Sequence, residues 1–343
     1  MKTSRLLLFA AFLLLGAASM AQPSRQDIAS LRKAEDTLKQ QSQKMVFANR
    51  AVDRFVADSS FIRTLVRTLK IPHSFEYAFD SLSSVSRLYA PDSSFRIFTW
   101  QFMRDETYFR QRGAIQMRTA DGSLKLFPLI DMSEFTDNPV DSLRSHLNWI
   151  GAIYYNVVAK TFNNKTYYTL LGYDENNFRS TRKWMEVLSF DDKGLPQFGG
   201  RYFVYPQDGI KPEQPAFRFL LEYKKDGGAR INYDPELDLI VFDHLISESK
   251  DPTKKFTLIP DGDFEGFRWK DGKWVYVEKI FDFKLKDGEF PMEAPIKDAS
   301  GKSNEAKLIE QSRKNMQQGN PPPAKKQEKN PPEKKPVLPQ EEY

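Results

Sequence analysis

The acidic stretch "DGDFEG", Asp261 to Gly266, is the best cation candidate in the chain. Its carboxylates stand at positions 1, 3 and 5 with a glycine at 6. That is the opening half of an EF-hand-type loop, where alternate oxygen ligands point inward and glycine makes the sharp turn. The second half departs from the pattern, with Arg268 at position 8 and Gly272 in place of the bidentate glutamate at 12. A strand hairpin follows where an exit helix should. Asp261, Asp263 and Glu265 would hold Ca2+ if the loop closed. The alternative is a solvated acidic turn ahead of a strand.

A second candidate is "GYDENNFRSTRKW", Gly172 to Trp184. Asn and Asp favour turns because their side chains mimic the backbone. As a ligand loop, Asp174, Asn176 and Asn177 would hydrogen-bond a polar group, and Arg179 and Arg182 would take an acidic one. The third is "FRWKDGKWVYV", Phe267 to Val277. Asp271-Gly272 suits a two-residue type I′ turn, whose central positions both need positive φ. Lys270 then faces Lys273, Trp269 faces Trp274, Arg268 faces Val275 and Phe267 faces Tyr276. Strand alternation puts Phe267, Trp269, Trp274 and Tyr276 on one face. Such a row either stacks on sugar rings, through Trp269 and Trp274, or fills a core.

Other chemistries lack their residues. His73, His146 and His244 show no metal-ligand spacing, and no HExxH zinc site can be written. No G-x-S-x-G elbow supports a serine nucleophile. "FGG" at 198–200 lacks the Lys and the following helix of a phosphate loop. With 46 Asp and Glu residues, a carboxylate pair of the kind used in glycoside hydrolysis is inevitable somewhere, so the count alone decides nothing. The chain has no cysteine, which removes thiolate catalysis, Cys-ligated metal and any disulfide framework.

The elements that must position these residues differ along the chain. "MKTSR", the apolar run "LLLFAAFLLLGAA" and the small residues Ser19 and Ala21 read as a signal peptide over residues 1–21. Gln22 stands where a lipoprotein would need cysteine. The expected destination is export, to the periplasm or outer surface, with no transmembrane span after cleavage. Of the net charge of +5, Lys2 and Arg5 supply +2 and residues 297–343 supply +3. Residues 22–296 are therefore neutral, without the positive footprint that nucleic acid requires.

Residues 22–90 read as a helical segment. Ile28, Leu31, Leu38, Met45 and Val52 form one stripe whose remaining slots hold Glu35, Ser42 and Asn49. A helix laid across a sheet explains it, with a dimeric coiled coil as the sharper reading. "DSSFIRTLVRTLKIP" reads as a second helix and "FEYAFDSLSSVSRLY" as a further one. From about residue 91 to 296, a dozen short runs rich in aromatic and β-branched residues alternate with turn signals. The expectation is a mainly β body, an antiparallel meander closing into a barrel, sandwich or small propeller. Residues 297–343, with "NPPPAKKQEKNPPEKKPVLPQEEY", read as a disordered Pro/Lys-rich tail.

The run "WIGAIYYNVVAKTFNNKTYYTLLGYDENNFRSTRKWMEVLSF", then "GLPQFGGRYF", "FRFLLEYKKDGGARINYDPELDLIVFDHLISE" and "PDGDFEGFRWKDGKWVYVEKI", resembles a family of exported Bacteroidota proteins with no assigned function. The likeness covers roughly residues 95–280. It implies origin and export, and carries no catalytic or binding residue with it. The sequence thus points to an exported envelope protein, a non-catalytic binding or structural module whose partner is an envelope protein or a glycan. The alternatives are a hydrolase of envelope or extracellular polymer using Asp/Glu acid–base chemistry, and a calcium-stabilised module.

Overall fold

The structure, a computed structural model, describes residues 22–105 and 107–278. The residues read as a signal peptide, the last part of the expected β body (279–296) and the Pro/Lys-rich tail lie outside the described residues. Helix α1 (Arg25–Phe47) opens on a capping box, in which Ser24 Oγ accepts from Asp27 N–H at 3.1 Å and Asp27 Oδ2 accepts from Ser24 N–H at 3.3 Å. Leu31, Leu38 and Met45 are fully buried, as the stripe predicts. Its polar slots need no partner helix. Glu35 accepts Ser81 N–H (2.7 Å), Ser81 Oγ–H (2.8 Å) and Tyr77 OH (2.5 Å), and Ser42 Oγ donates to Lys39 O at 2.9 Å.

The stripe does not continue to Val52, which is 57% exposed. The chain turns at residues 48–50, where Arg54 Nη1 donates to the carbonyls of Ala48 and Asn49. Helix α2 (Ala51–Leu69) therefore starts before the expected Asp58. That aspartate is buried mid-helix, accepting Trp100 Nε1–H at 3.0 Å and Arg112 Nε–H at 3.1 Å. The expected third helix is absent. Residues 74–76 make a single 3-10 turn and the rest of the run forms turns and a short strand, because Arg96 takes carbonyls a longer helix would use: Tyr77 O (2.5 Å) and Ser74 O (2.8 Å). No helix among the described residues is long and apolar enough to cross a membrane.

The described residues form fifteen strands in three sheets. Sheet one is an antiparallel meander of β1 (Ser86–Tyr89), β2 (Phe95–Asp105), β3 (Tyr108–Met117) and β4 (Lys125–Leu129). Sheet two contains β5 (Arg144–Ser145), β6 (Ile153–Phe162), β7 (Lys165–Asp174), β8 (Ser180–Phe190) and β9 (Pro196–Phe198) in the order β5-β9-β8-β7-β6. Sheet three holds β10 (Phe203–Val204), β12 (Ile231–Asp234), β13 (Leu239–Ser247), β14 (Leu258–Lys270) and β15 (Lys273–Val277) in the order β10-β15-β14-β13-β12. Strand β11 (Phe219–Lys224) joins sheet two beside β8. All strand pairs are antiparallel except β10 with β15.

The body is mainly β, and no closed barrel is present among the described residues. Three open sheets stack instead. On β2, Phe98, Trp100 and Phe102 pack under the helices while Phe95 and Ile97 face sheet two. On β7 and β8, Leu170, Trp184 and Leu188 face sheet one, and Leu171, Met185 and Val187 face sheet three with Phe242, Phe267 and Trp274. Strands buried on both faces read as near-continuous apolar runs.

Candidate functional site: a groove along strand β11

The acidic stretch 261–266 does not close as a cation loop. It is part of β14, and residues 261–263 bulge out opposite His244, between the pairs Asp243–Phe264 and Leu245–Pro260. Gly262 supplies the positive φ, +98°. Asp261 Oδ2 lies 2.8 Å from His244 Nδ1 and its Oδ1 accepts Asp263 N–H at 3.0 Å. Glu265 turns inward to Lys211 Nζ (2.9 Å) and Tyr276 OH (2.5 Å). Asp261 and Glu265 are thus held by separate partners. No cluster of three or more His, Asp or Glu among the described residues could hold a metal ion.

The hairpin has the predicted register throughout, from Lys270–Lys273 to Phe267–Tyr276. Asp271 and Gly272 have φ of 50° and 76°. A Cβ at Gly272 would lie 2.6 Å from Phe162 Cδ1, so packing and backbone both call for glycine. Phe267 and Trp274 are completely buried, and Trp269 and Tyr276 pack partly buried against them. Trp274 is therefore core rather than a stacking platform. Trp269 stands edge-on to it at 5.3 Å.

The polar loop after β7 divides in two. Asn177 Oδ1 closes its own turn, accepting Arg179 N–H (2.8 Å) and Ser180 N–H (3.1 Å). Arg179 stacks on the Phe256 ring at 3.5 Å. Asn176 and Arg182 instead converge on a residue that the sequence did not single out. Glu222 of β11 accepts Arg182 Nε–H at 2.8 Å, Ser180 Oγ–H at 2.6 Å and Asn176 Nδ2–H at 3.4 Å.

Glu222 lines a groove of about 530 Å³, with Leu220, Val140, Ile210, Thr253 and Lys255. Its far wall, residues 207–213, is held from several sides. Lys255 Nζ donates to Gly209 O (2.8 Å) and Ile210 O (2.9 Å), Asp208 Oδ1 accepts Ile210 N–H (2.9 Å), and Tyr205 OH donates to Pro212 O (3.1 Å). Burial lowers the Lys255 ammonium below its ordinary range, against the pull of Asp208 and Glu222. No family model, curated protein or solved structure matches this chain. The groove is therefore read from its own geometry.

The groove is lined by two carboxylate residues, Glu213 and Glu222, and by Lys211 and Lys255. The Glu222 carboxylate accepts from three donors. No aromatic ring lines the groove among the described residues, so a sugar-stacking cleft is not what it presents. Glu222 and Lys255 carry no motif. That face of sheet two also carries Asp174, Arg182 and Glu186, so nothing in the sequence set Glu222 apart.

Asp174 points elsewhere. It is buried, and its Oδ1 accepts Asn176 N–H at 2.8 Å and a short bond from Gln111 Nε2. Burial pushes its carboxyl up to about 6, with Asp131 adding to the shift and the backbone bond and Arg182 opposing it. The folded-state value lies above that of an unfolded carboxyl, about 3.9. The stability contributed by this proton is therefore full below about pH 4 and lost as pH rises through 6. The loss over that window is about 2–3 kcal/mol. Urea unfolding between pH 4 and pH 7 should show Asp174→Asn without this fall. Equal slopes in both proteins would place the titration on another group.

Proposed function

We propose that the protein is an exported, non-catalytic binding module of the cell envelope, and that its ligand lies in the groove along β11. The signal-peptide pattern and the resemblance to exported Bacteroidota proteins support the location. The observation that carries the binding reading is a groove of about 530 Å³ whose walls are fixed in advance, with Glu222 and Lys255 held by partners outside any ligand. Preformed, largely apolar clefts with a few placed polar groups are what binding sites use, and fixed walls spare a ligand the ordering entropy of binding.

Thr253 is exposed on the rim, so Thr253→Trp should fill the groove without touching the core. Ligand-observed NMR with a library of small amide and amino-acid fragments should find binders to the mature protein that this variant loses, at an unchanged unfolding midpoint. Fragments that bind both proteins equally, or none that binds, would sink the reading.

A further inference from the structure

Strand β11 is hydrogen-bonded as a strand on one flank only. Met185 to Ser180 of β8 pair with Phe219 to Lys224, and no described strand pairs with the other side. Two other segments of the chain come close to β11 besides β14. Phe217 N–H donates to Val140 O at 2.8 Å just before β11, and the turn Lys255–Thr257 packs beside it. Both neighbours line the groove, as do Leu220 and Glu222 from the strand itself. In an antiparallel strand, alternate N–H and C=O groups turn away from the existing partner. An open edge of this kind is a template for another strand, and folded proteins normally blunt it with charge, bulge or cover. Here the edge carries a groove instead.

We propose that the groove takes an extended polypeptide segment, which adds to sheet two as a strand beside β11. This rests on the binding reading above and names its ligand class. Main-chain hydrogen bonds to the free edge would supply affinity, and alternate side chains specificity. Leu220 and Glu222 are two apart, so they share one face, and both are partly exposed. The residues opposite them on an added strand share that face as well. Opposite Leu220, with Val140 and Ile210 nearby, an apolar side chain fits. Two positions along, a Lys or Arg opposite Glu222 extends the charge row that Arg182 begins from β8. The recognised pattern is an apolar and a basic residue two apart, apolar–x–basic on a parallel strand and basic–x–apolar on an antiparallel one.

The probe is a set of fluorescein-labelled, capped hexapeptides with a fixed apolar residue and Lys, Ser or Glu two positions before or after it, titrated by fluorescence polarisation against the mature protein. Lys members should bind about fivefold or more tighter than Glu members. Glu222→Gln should erase that preference while keeping the apolar requirement, and Thr253→Trp should abolish binding. N-methylating alternate peptide amides should abolish it as well, which a side-chain-only contact would survive. Binding that ignores N-methylation or Glu222→Gln would overturn strand addition. If fragments occupy the groove and no peptide does, the peptide proposal falls and the binding reading stands. If neither binds, both fall.

Discussion

Arg218→Met should destabilise the protein by about 3–5 kcal/mol, read as a lowered urea midpoint of residues 22–343. Arg218 is 0% exposed and its Nε donates to Glu186 Oε2 at 2.7 Å, in a pair buried on both sides. Glu186 also accepts the Tyr154 hydroxyl, which in turn accepts Trp149 Nε1–H at 2.7 Å. Methionine fills much of the volume, so the loss is electrostatic: it strands a carboxylate between two sheets with no cation. The guanidinium also donates to Pro139 O and Ser142 O at 2.9 Å and to Phe198 O at 3.0 Å. The Arg218→Met/Glu186→Met double variant should therefore recover only part of the loss. It removes the stranded charge but leaves buried carbonyls without donors, at about 1–3 kcal/mol for each that water cannot reach. Full recovery would mean that the carbonyl contacts carry no weight. A loss under about 1 kcal/mol for the single variant would mean that water reaches the pair.

This pair shows where sequence reasoning stopped. Period and turn chemistry are local, and they gave the α1 stripe through Leu31, Leu38 and Met45, the type I′ turn at Asp271-Gly272 and the register of the whole hairpin. The third helix failed because Arg96, seven residues beyond Tyr89, takes the carbonyls of Ser74 and Tyr77. The stacking of three sheets was hidden because β2, β7 and β8 bury both faces, so their runs carry little alternation to show which side meets which neighbour. Asp58, Arg96, Glu186 and Arg218 look in sequence like ordinary surface charges, and only tertiary packing makes them interior. The polar loop was half legible. Asn176 and Arg182 do reach the groove wall, but through Glu222, which lies forty residues beyond Arg182. The acidic stretch departs from the loop pattern for a backbone reason: pairing with β13 resumes at Phe264, so Glu265 turns inward to Lys211 while Asp261 and Asp263 stay in the bulge opposite His244.

Trp274→Ala should cost about 3–5 kcal/mol, as expected for deleting a fully buried indole. The ring lies between sheets two and three in the cluster that includes Phe203, Phe219 and Phe267, with Trp269 edge-on beside it. Its Nε1–H donates to Thr169 Oγ1 at 2.8 Å, a bond made 0% exposed at both residues. Thr169→Val keeps the shape and removes that acceptor, so it should cost about 1–3 kcal/mol by itself. Arg268, on the opposite and exposed face of the same hairpin, is the control: Arg268→Ala should stay within about 0.5 kcal/mol. This pattern separates the two roles that the aromatic row allowed. A stacking platform keeps its rings in solvent, so their removal weakens ligand binding and leaves stability nearly unchanged. A core hairpin loses stability in proportion to burial, with Trp274 above Thr169 and Thr169 above Arg268. Unfolding midpoints of the three variants in that order would identify the hairpin as the clamp between sheets two and three. A stable Trp274→Ala protein would mean that the indole is not packed there.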